Sequence, residues 1–172
     1  MFDPRTARVE TLDARHDRLS FKCGVEALDR YFHTQAGQDS RKDVAAPFVL
    51  VGADGTIVGF YTLSASSVPV GDLPMDAIRK LPRYPVVPAT LLGRLAIDYR
   101  HRGKGAGRYL LMDALRRSMR SEIASFAVVV DAKDEHARDF YRRDGFILFQ
   151  ETPMRLFLPM ATIRKVFGAD GP

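Results

Sequence analysis

The spacing of hydrophobic positions divides the chain into alternating helical and extended segments. Between residues 24 and 38, apolar side chains recur at helical spacing, which predicts an amphipathic helix. These side chains are Val25, Leu28, Phe32 and Ala36. The segments 47–52 and 56–63 are rich in β-branched and aromatic residues, and Asp54-Gly55, a dipeptide typical of hairpin turns, joins them. We therefore expect a helix followed by two antiparallel strands.

The second half of the chain continues the alternation. Residues 68–88 hold five of the ten prolines around a segment of helical character at 75–81, which predicts an ordered excursion between strands. An apolar strand at 89–97 then leads through a basic, glycine-rich turn at 99–107 into a helix. Further strands are expected at 126–130, 146–149 and 155–160, with a helix at 134–143. The order β-β followed by β-α-β-α-β-β indicates the α/β class.

Length and composition fit one globular domain. With 172 residues and 46% hydrophobic content, the chain can bury a core without metal or disulfide support, so we expect a single domain over residues 1–172. Cys23 is the only cysteine and the N-terminus has no secretory pattern, which indicates a cytoplasmic protein. No apolar run approaches the about 18 residues that cross a bilayer, so we expect no membrane contact. No cluster of ligand residues predicts a metal site.

The positive charge is concentrated in one part of the chain. The net charge is +5, and residues 79–120 carry 11 basic against 2 acidic side chains. This pattern is expected for a protein with a polyanionic partner. The commoner explanation of such a pattern is a solvated basic surface, and a cofactor with three phosphates could account for part of the charge. The candidate contacts to such a partner are Arg79, Lys80, Arg83, Arg94, Arg116, Arg117 and Arg120.

The turn before the long helix is suited to binding phosphate. Glycines alternate with cations there, so an anion can approach the main chain while the helix N-terminus adds positive charge. The alternative is a tight turn that needs glycine only for its φ angles. The spacing matches neither a P-loop nor a dinucleotide-binding motif. The predicted ligand residues are Arg102, Gly103, Lys104, Gly105, Ala106, Gly107 and Arg108, with His101 as a further phosphate contact.

Two motifs resemble the signatures of the GNAT acetyltransferases. Residues 102–107 match Q/R-x-x-G-x-G/A, and Asp134-x-x-Ala137-x-x-Phe140-Tyr141-x-x-x-Gly145-Phe146 resembles the second signature, with aspartate where asparagine is usual. The resemblance implies a mixed, mostly antiparallel sheet flanked by helices and splayed between its fourth and fifth strands, where acetyl-CoA binds. It implies that Tyr141 is the acid for the CoA thiolate, the alternative being a packing tyrosine. The remaining implied cofactor residues are Leu95, Ala96, Ile97, Asp134, Ala137 and Phe140.

Further motifs extend the resemblance over nearly the whole chain. They are Phe21-x-Cys23-Gly24-x-x-x-Leu28-Asp29, Gly59-Phe-Tyr-Thr-Leu63, Leu81-Pro-Arg-Tyr-Pro85 and Leu92-Gly-Arg-Leu-Ala96. They are similar to the GNAT toxins of bacterial type II toxin-antitoxin systems. The resemblance implies acetylation of the α-amino group of aminoacyl-tRNA, which blocks translation. It also implies a ribbon-helix-helix antitoxin as partner and a homodimer, a common state in the family.

The residues of the expected catalytic strand favour an acidic amine as acceptor. An α-amino group has a pKa of about 7.7–8.0 against about 10.4 for lysine, so a lysine acceptor would cost about 3–4 kcal/mol without a general base. Residues 91–97 contain no Glu or His to act as that base. Two alternatives stay open: a GNAT enzyme for a small amine or protein N-terminus, and an RNA-binding module without catalysis. We expect Cys23 to be a buried hydrophobe, and Asp131 and Asp134 to serve as caps.

Overall fold

The computed structural model describes residues 2–168. Its strands are β1 (Arg8–Thr11), β2 (Ala46–Val51), β3 (Ile57–Pro69), β4 (Val86–Ile97), β5 (Ala127–Asp131), β6 (Ile147–Leu148) and β7 (Arg155–Pro159). Its α-helices are α1 (Glu26–Arg30), α2 (Ala36–Arg41), α3 (Met75–Ile78), α4 (Ala106–Arg120), α5 (Glu135–Arg143) and α6 (Met160–Val166). A π-helical turn (Tyr31–Gln35) joins α1 to α2, and short 3-10 helices cover Val70–Asp72 and Tyr99–His101. The α/β class is confirmed.

The strands form a mixed sheet in the order β1-β2-β3-β4-β5-β7-β6. The pairs β1–β2, β2–β3, β5–β7 and β6–β7 are antiparallel, and β4–β5 is parallel. Pairing with β5 covers only Ala89–Leu92, whereas β4 itself continues to Ile97. The predicted sheet, mostly antiparallel and opening between its fourth and fifth strands, is therefore confirmed.

The chain divides into two compact units, each made of two separate segments. The first comprises residues up to Ser64 together with Gly93–Ala114, and the second comprises Ala65–Leu92 together with the residues from Leu115 onward. Because β3, β4 and α4 each contribute residues to both units, neither unit is a contiguous piece of chain. The single domain stays a prediction.

An aromatic cluster forms the core of the first unit. Phe32 and Phe60 stack with ring centroids 4.3 Å apart, and Phe21 meets both rings edge-on at 5.0 and 5.5 Å. Ala96 of β4 belongs to the same cluster. Burying one such side chain contributes about 1.5–3 kcal/mol, so this cluster anchors the α1–α2 segment to the strands of its unit.

The core of the second unit explains why the proline-rich segment is ordered. Val68, Leu73 and Val87 are buried in a cluster with Val129 of β5 and Phe157 of β7. The ordered excursion is thus confirmed, although it is shorter than expected. Strand β3 runs on to Pro69 and β4 already begins at Val86, because backbone pairing extends beyond the apolar runs.

Other elements differ from the expectation. The first helix contains the π-helical turn, within which the Thr34 hydroxyl donates to the carbonyl of Arg30 at 2.7 Å, a local bond that competes with regular helix. Strand β1 and helix α6 were not expected, since four residues and seven residues are too short to show a clear period. Within residues 2–168, no helix combines the length and hydropathy needed to span a membrane.

Candidate active site

Asp98 fixes the chain where β4 ends and the glycine-rich turn begins. Its buried carboxylate accepts hydrogen bonds from the Lys22 amide at 3.0 Å and from the Arg100 amide and guanidinium at 3.0 and 2.8 Å. Burial alone would raise the pKa of Asp98, but these hydrogen bonds outweigh it and hold the pKa below its usual value. The carboxylate therefore stays ionised and ties the turn to the N-terminal segment.

The glycine-rich turn presents its main chain to open space. Gly103 and Gly105 have φ angles of +71° and +81°, and no heavy atom lies within 4 Å of a Cβ built on either residue. Helix α4 follows at Ala106, and the first amides of a helix have no intrahelical acceptor. The side chains of Lys104 and Arg108 are exposed. The residues present therefore fit a pyrophosphate group.

Two of the expected phosphate contacts, Arg102 and His101, have surroundings that their sequence positions did not indicate. The Arg102 guanidinium donates to the backbone carbonyl of Cys23, so part of this cation holds the neighbouring segment. His101, expected to contact phosphate, is instead buried at 7% exposure, and burial lowers the pKa of its imidazole. Its Nδ1 has no hydrogen-bond partner within residues 2–168. The positions of Arg102 and His101 beside the glycines suggest that both contact phosphate, but tertiary packing buries the His101 imidazole.

The segment that Arg102 contacts is itself held by an aspartate. The Asp29 carboxylate accepts hydrogen bonds from the amides of Cys23 at 2.7 Å and Gly24 at 3.2 Å. Cys23 is buried, as expected for a small hydrophobe, and burial raises the pKa of its thiol. The Asp29 carboxylate thus satisfies the amides of Cys23 and Gly24 and ties the start of this motif to helix α1.

The expected catalytic strand lies in β4 beyond its last pair with β5. Ala96 is buried, while Leu95 and Ile97 are half-buried. Gly59 lies close to this strand, because a Cβ on it would meet Ile97 Cδ1 at 2.7 Å and the Ala96 carbonyl oxygen at 2.8 Å. Only glycine permits this close approach of β3 to β4.

Helix α5 begins at the capping aspartate that the sequence suggested. Asp134 Oδ1 accepts a hydrogen bond from the Ala137 amide at 2.8 Å, which confirms its role as N-cap. Asp131 does not cap, contrary to our expectation. It lies at the end of β5 and forms an ion pair with Arg155 of β7 at 2.9 Å, because the antiparallel register places the two residues opposite each other.

Tyr141 is buried on α5 between two aromatic rings. Its exposure is 7%, and its ring centroid lies 5.1 Å from that of Phe140 and 5.4 Å from that of Phe146. Burial raises the pKa of the phenol, so the hydroxyl carries its proton at neutral pH. Within residues 2–168 the hydroxyl makes no hydrogen bond to the protein. The ring packs, and the hydroxyl remains available as a donor.

The predicted RNA contacts differ in their surroundings. Arg79, Lys80 and Arg83 are exposed and form no ion pair within the described part of the chain. Tyr84, which follows Arg83, is 64% exposed; it belongs to the Leu81–Pro85 motif but is not among the contacts predicted from the sequence. In the same unit, Arg116 lies 5.1 Å from the ring of Phe167. Of the remaining predicted contacts, Arg120 is exposed and Arg117 is half-buried. Arg94 belongs to the first unit and is half-buried against the ring of Tyr31.

Fold and turn together define a GNAT acetyltransferase, and the chain belongs to the acetyltransferase (GNAT) family, whose model matches residues 12–146. Over 171 residues it is 34% identical to a probable toxin TacT of Sinorhizobium fredii, covering 93% of this chain and 94% of the relative. It is 35% identical over 154 residues to a tRNA-acetylating toxin of Mycobacterium tuberculosis, covering 88% and 91%. The resemblance to GNAT toxins is confirmed.

Solved structures of such toxins have the same fold. AtaT complexed with acetyl-methionyl-tRNAfMet is 31% identical, with a TM-score of 0.86 and coverage of 94% of this chain and 99% of that chain. A mutant of AtaT bound to the C-terminus of the antitoxin AtaR and acetyl-CoA is 28% identical, with a TM-score of 0.80 and coverage of 94% and 98%. The similarity therefore extends over almost the full length of both chains.

Proposed function

We propose that this protein is an acetyl-CoA-dependent N-acetyltransferase toxin that acetylates the α-amino group of aminoacyl-tRNA and blocks translation. The observation that carries the proposal is the nearly full-length similarity to a tRNA-acetylating toxin and to AtaT complexed with acetyl-methionyl-tRNAfMet. The open glycine-rich turn and the exposed cations of this chain support it independently. A GNAT enzyme for a small amine or protein N-terminus is the alternative, because it would need the same cofactor residues.

The geometry of the turn and of β4 supports the proposed cofactor contacts. The amides and cations at 102–108 would hold the pyrophosphate of acetyl-CoA. The backbone of Leu95, Ala96 and Ile97 lies beyond the last pair of β4 with β5 and would pair with the pantetheine amides. On α5, the proposed cofactor contacts are Asp134, Ala137 and Phe140. Acetyl-CoA supplies an acetyl group activated as a thioester.

Tyr141 is the proposed acid. As the α-amino nitrogen bonds to the acetyl carbon, the carbon–sulfur bond breaks, and the Tyr141 hydroxyl gives its proton to the departing sulfur. Its raised pKa keeps that proton in place before transfer. The amine attacks in its neutral form, since an α-amino group with a pKa of about 7.7–8.0 is substantially neutral near pH 7.5 without a dedicated base. The nitrogen would then lose one proton to solvent, and solvent would return one proton to the Tyr141 oxygen, so the two transfers balance.

The basic side chains are proposed to bind the tRNA backbone. The proposed contacts in the second unit are Arg79, Lys80, Arg83, Arg116, Arg117 and Arg120, and the proposed contact in the first unit is Arg94. The exposed ring of Tyr84 beside Arg83 offers a stacking platform of the kind that unpaired nucleotides use. Log affinity for charged tRNA should fall linearly with log salt concentration, while affinity for acetyl-CoA should change far less.

The deciding experiment offers labelled acetyl-CoA together with total charged tRNA. Label should appear in tRNA that carries an amino acid and not in the same tRNA after deacylation. Release with the amino acid on mild alkaline hydrolysis would place the acetyl group on the aminoacyl moiety. Labelling of small amines or protein N-termini, with none in charged tRNA, would favour the alternative. Binding of tRNA with no acetyl transfer to any acceptor would favour a non-catalytic RNA-binding module.

We also propose a cytoplasmic protein with an antitoxin partner. AtaT is bound to the C-terminus of its antitoxin AtaR, so a small antitoxin is expected for this chain, with a ribbon-helix-helix DNA-binding half. A homodimer is the expected state of the free enzyme. Light scattering of the purified protein tests the dimer. Co-purification with the product of the neighbouring gene tests the antitoxin.

A further inference from the structure

Arg94 occupies an unusual position on β4. It lies two residues beyond Leu92, the last residue of β4 that pairs with β5. Its guanidinium carbon is 3.5 Å from the centroid of the Tyr31 ring, a distance of direct contact with the ring face. Within residues 2–168 this guanidinium makes no hydrogen bond and no ion pair with a carboxylate. A half-buried arginine is thus held by the face of its guanidinium, while the N–H edge meets no acceptor in the described part of the chain.

The ring beneath Arg94 is firmly held. Tyr31 is 8% exposed, lies nearly parallel to Phe60, and donates its hydroxyl to Asp39 Oδ2 at 2.9 Å. Gln35 donates to the other carboxylate oxygen at 2.9 Å. The π-helical turn between α1 and α2 sets the positions of Tyr31 and Gln35 relative to Asp39, and such turns are frequent at functional sites.

The protonation states strengthen this contact. The hydrogen bond from Gln35 is the main cause that lowers the pKa of Asp39, so the carboxylate is ionised. Burial, with the hydrogen bond to Asp39, raises the pKa of Tyr31 to about 12, so the phenol stays a neutral donor. A phenol that donates to a carboxylate is polarised toward greater electron density on its ring, which favours a cation over its face.

The arrangement suits recognition of a phosphodiester. Stacking uses one face of the planar guanidinium and leaves its in-plane N–H donors, which match the oxygens of a phosphate in pairs. Because side chains alternate along a strand, Arg94 shares a face of β4 with Ala96, whose backbone belongs to the proposed catalytic strand. An anion bound by Arg94 would therefore lie near that strand, as the last nucleotides of a charged tRNA must.

We propose that Arg94 binds a backbone phosphate in the unpaired 3′ end of the acceptor tRNA, and that Tyr31 and Asp39 are positioning residues that hold it for this contact. The proposal rests on the proposed function and adds to it the group that is recognised and the two residues that prepare the site. A carboxylate of an antitoxin tail would use the same donors and is an outcome of the test.

The test measures steady-state kinetics with charged tRNA over a range of salt concentrations. Arg94→Ala should raise KM about 10–100-fold, the loss expected for a charged hydrogen-bond pair, with kcat retained. The slope of log KM against log salt should fall by about 0.7, the contribution of one single-strand phosphate. Arg94→Lys should keep the slope while KM stays raised, because lysine supplies the charge without the paired donors.

Positioning and control variants complete the experiment. Asp39→Asn should raise KM severalfold while kcat and the affinity for acetyl-CoA, measured by calorimetry, stay at parent values. The control Arg41→Ala removes an equal charge from the exposed end of α2 and should leave KM at the parent value. Thermal melting of every variant identifies any loss of folded protein. Should Arg94→Ala unfold, Arg94→Lys still tests the contact through KM, and a parent KM for charged tRNA in that variant would contradict the proposal.

Several results would overturn the proposal. An unchanged salt slope in a folded Arg94→Ala protein would remove the phosphate contact. So would equal losses of kcat, tRNA affinity and acetyl-CoA affinity, which indicate a structural role. Weaker antitoxin binding with a normal KM for tRNA would assign Arg94 to a protein carboxylate. Failure of the parent protein to acetylate charged tRNA is a different result, since it rejects the proposed function itself.

Discussion

Replacing Tyr141 by phenylalanine separates a catalytic hydroxyl from a structural one. The substitution removes a single oxygen and keeps the ring between Phe140 and Phe146. Because the hydroxyl makes no hydrogen bond within residues 2–168, the free energy of unfolding should change by less than about 0.5 kcal/mol. Loss of a positioned acid should lower turnover by about 10²–10⁴-fold, or about 2.7–5.4 kcal/mol of activation free energy.

Tyr61→Phe provides a matched control, for which we expect the opposite result, namely lower stability and normal turnover. The buried hydroxyl of Tyr61 donates to Asp113 at 2.6 Å, so Tyr61→Phe should lower the free energy of unfolding by about 1.5–3 kcal/mol. Turnover of the folded fraction should stay normal, since nothing in the proposed reaction uses this hydroxyl. Denaturant unfolding and single-turnover acetylation, measured on the same samples, give both quantities for both variants.

The two variants should therefore show opposite patterns. Tyr141→Phe should be stable and slow, with KM for acetyl-CoA near that of the parent, because the hydroxyl acts as the bond to sulfur breaks. The raised pKa of Tyr141 also predicts that parent activity does not decline from loss of this proton until the pH exceeds the ordinary tyrosine value of about 10. A stable Tyr141→Phe protein that acetylates at the parent rate would refute the acid role.

Three further substitutions test other parts of the structure. Gly59→Ala places a Cβ 2.8 Å from the Ala96 carbonyl oxygen and should cost about 1–3 kcal/mol of stability, and an unchanged denaturation midpoint would contradict this close approach. Asp98→Asn should lower the free energy of unfolding by about 1–3 kcal/mol at pH 7. Because the pKa of Asp98 is lowered in the folded protein, this difference in stability should shrink as the pH falls through that pKa, and a constant difference would exclude an ionised Asp98. Gly105→Glu should weaken acetyl-CoA binding, measured by calorimetry, at least about tenfold more than the control Gly105→Gln, which has the same strain from a positive φ but no charge. Equal affinities of the two variants would show that the pyrophosphate does not bind at this turn.

Local sequence patterns determined much of this protein. The buried side chains of α4 recur at helical spacing, which the sequence itself displays, and they are Leu110, Leu111, Ala114, Leu115 and Ser118. The cap at Asp134 and the open turn at Gly103 and Gly105 could be predicted in the same way. Each feature depends on residues within a few positions of one another, so a short window of sequence contains its physical cause.

Tertiary structure alone decided which distant residues meet. Asp98 binds the amide of Lys22 across 76 positions, and Arg102 reaches the Cys23 carbonyl across 79. The stacking of Arg94 on Tyr31 likewise joins β4 to the π-helical turn. A pattern of residue types cannot choose such partners, because an exposed arginine and a stacked one look alike in sequence. Their environments follow from how the strands and helices of the folded chain pack, where burial and hydrogen-bond geometry select one partner among many.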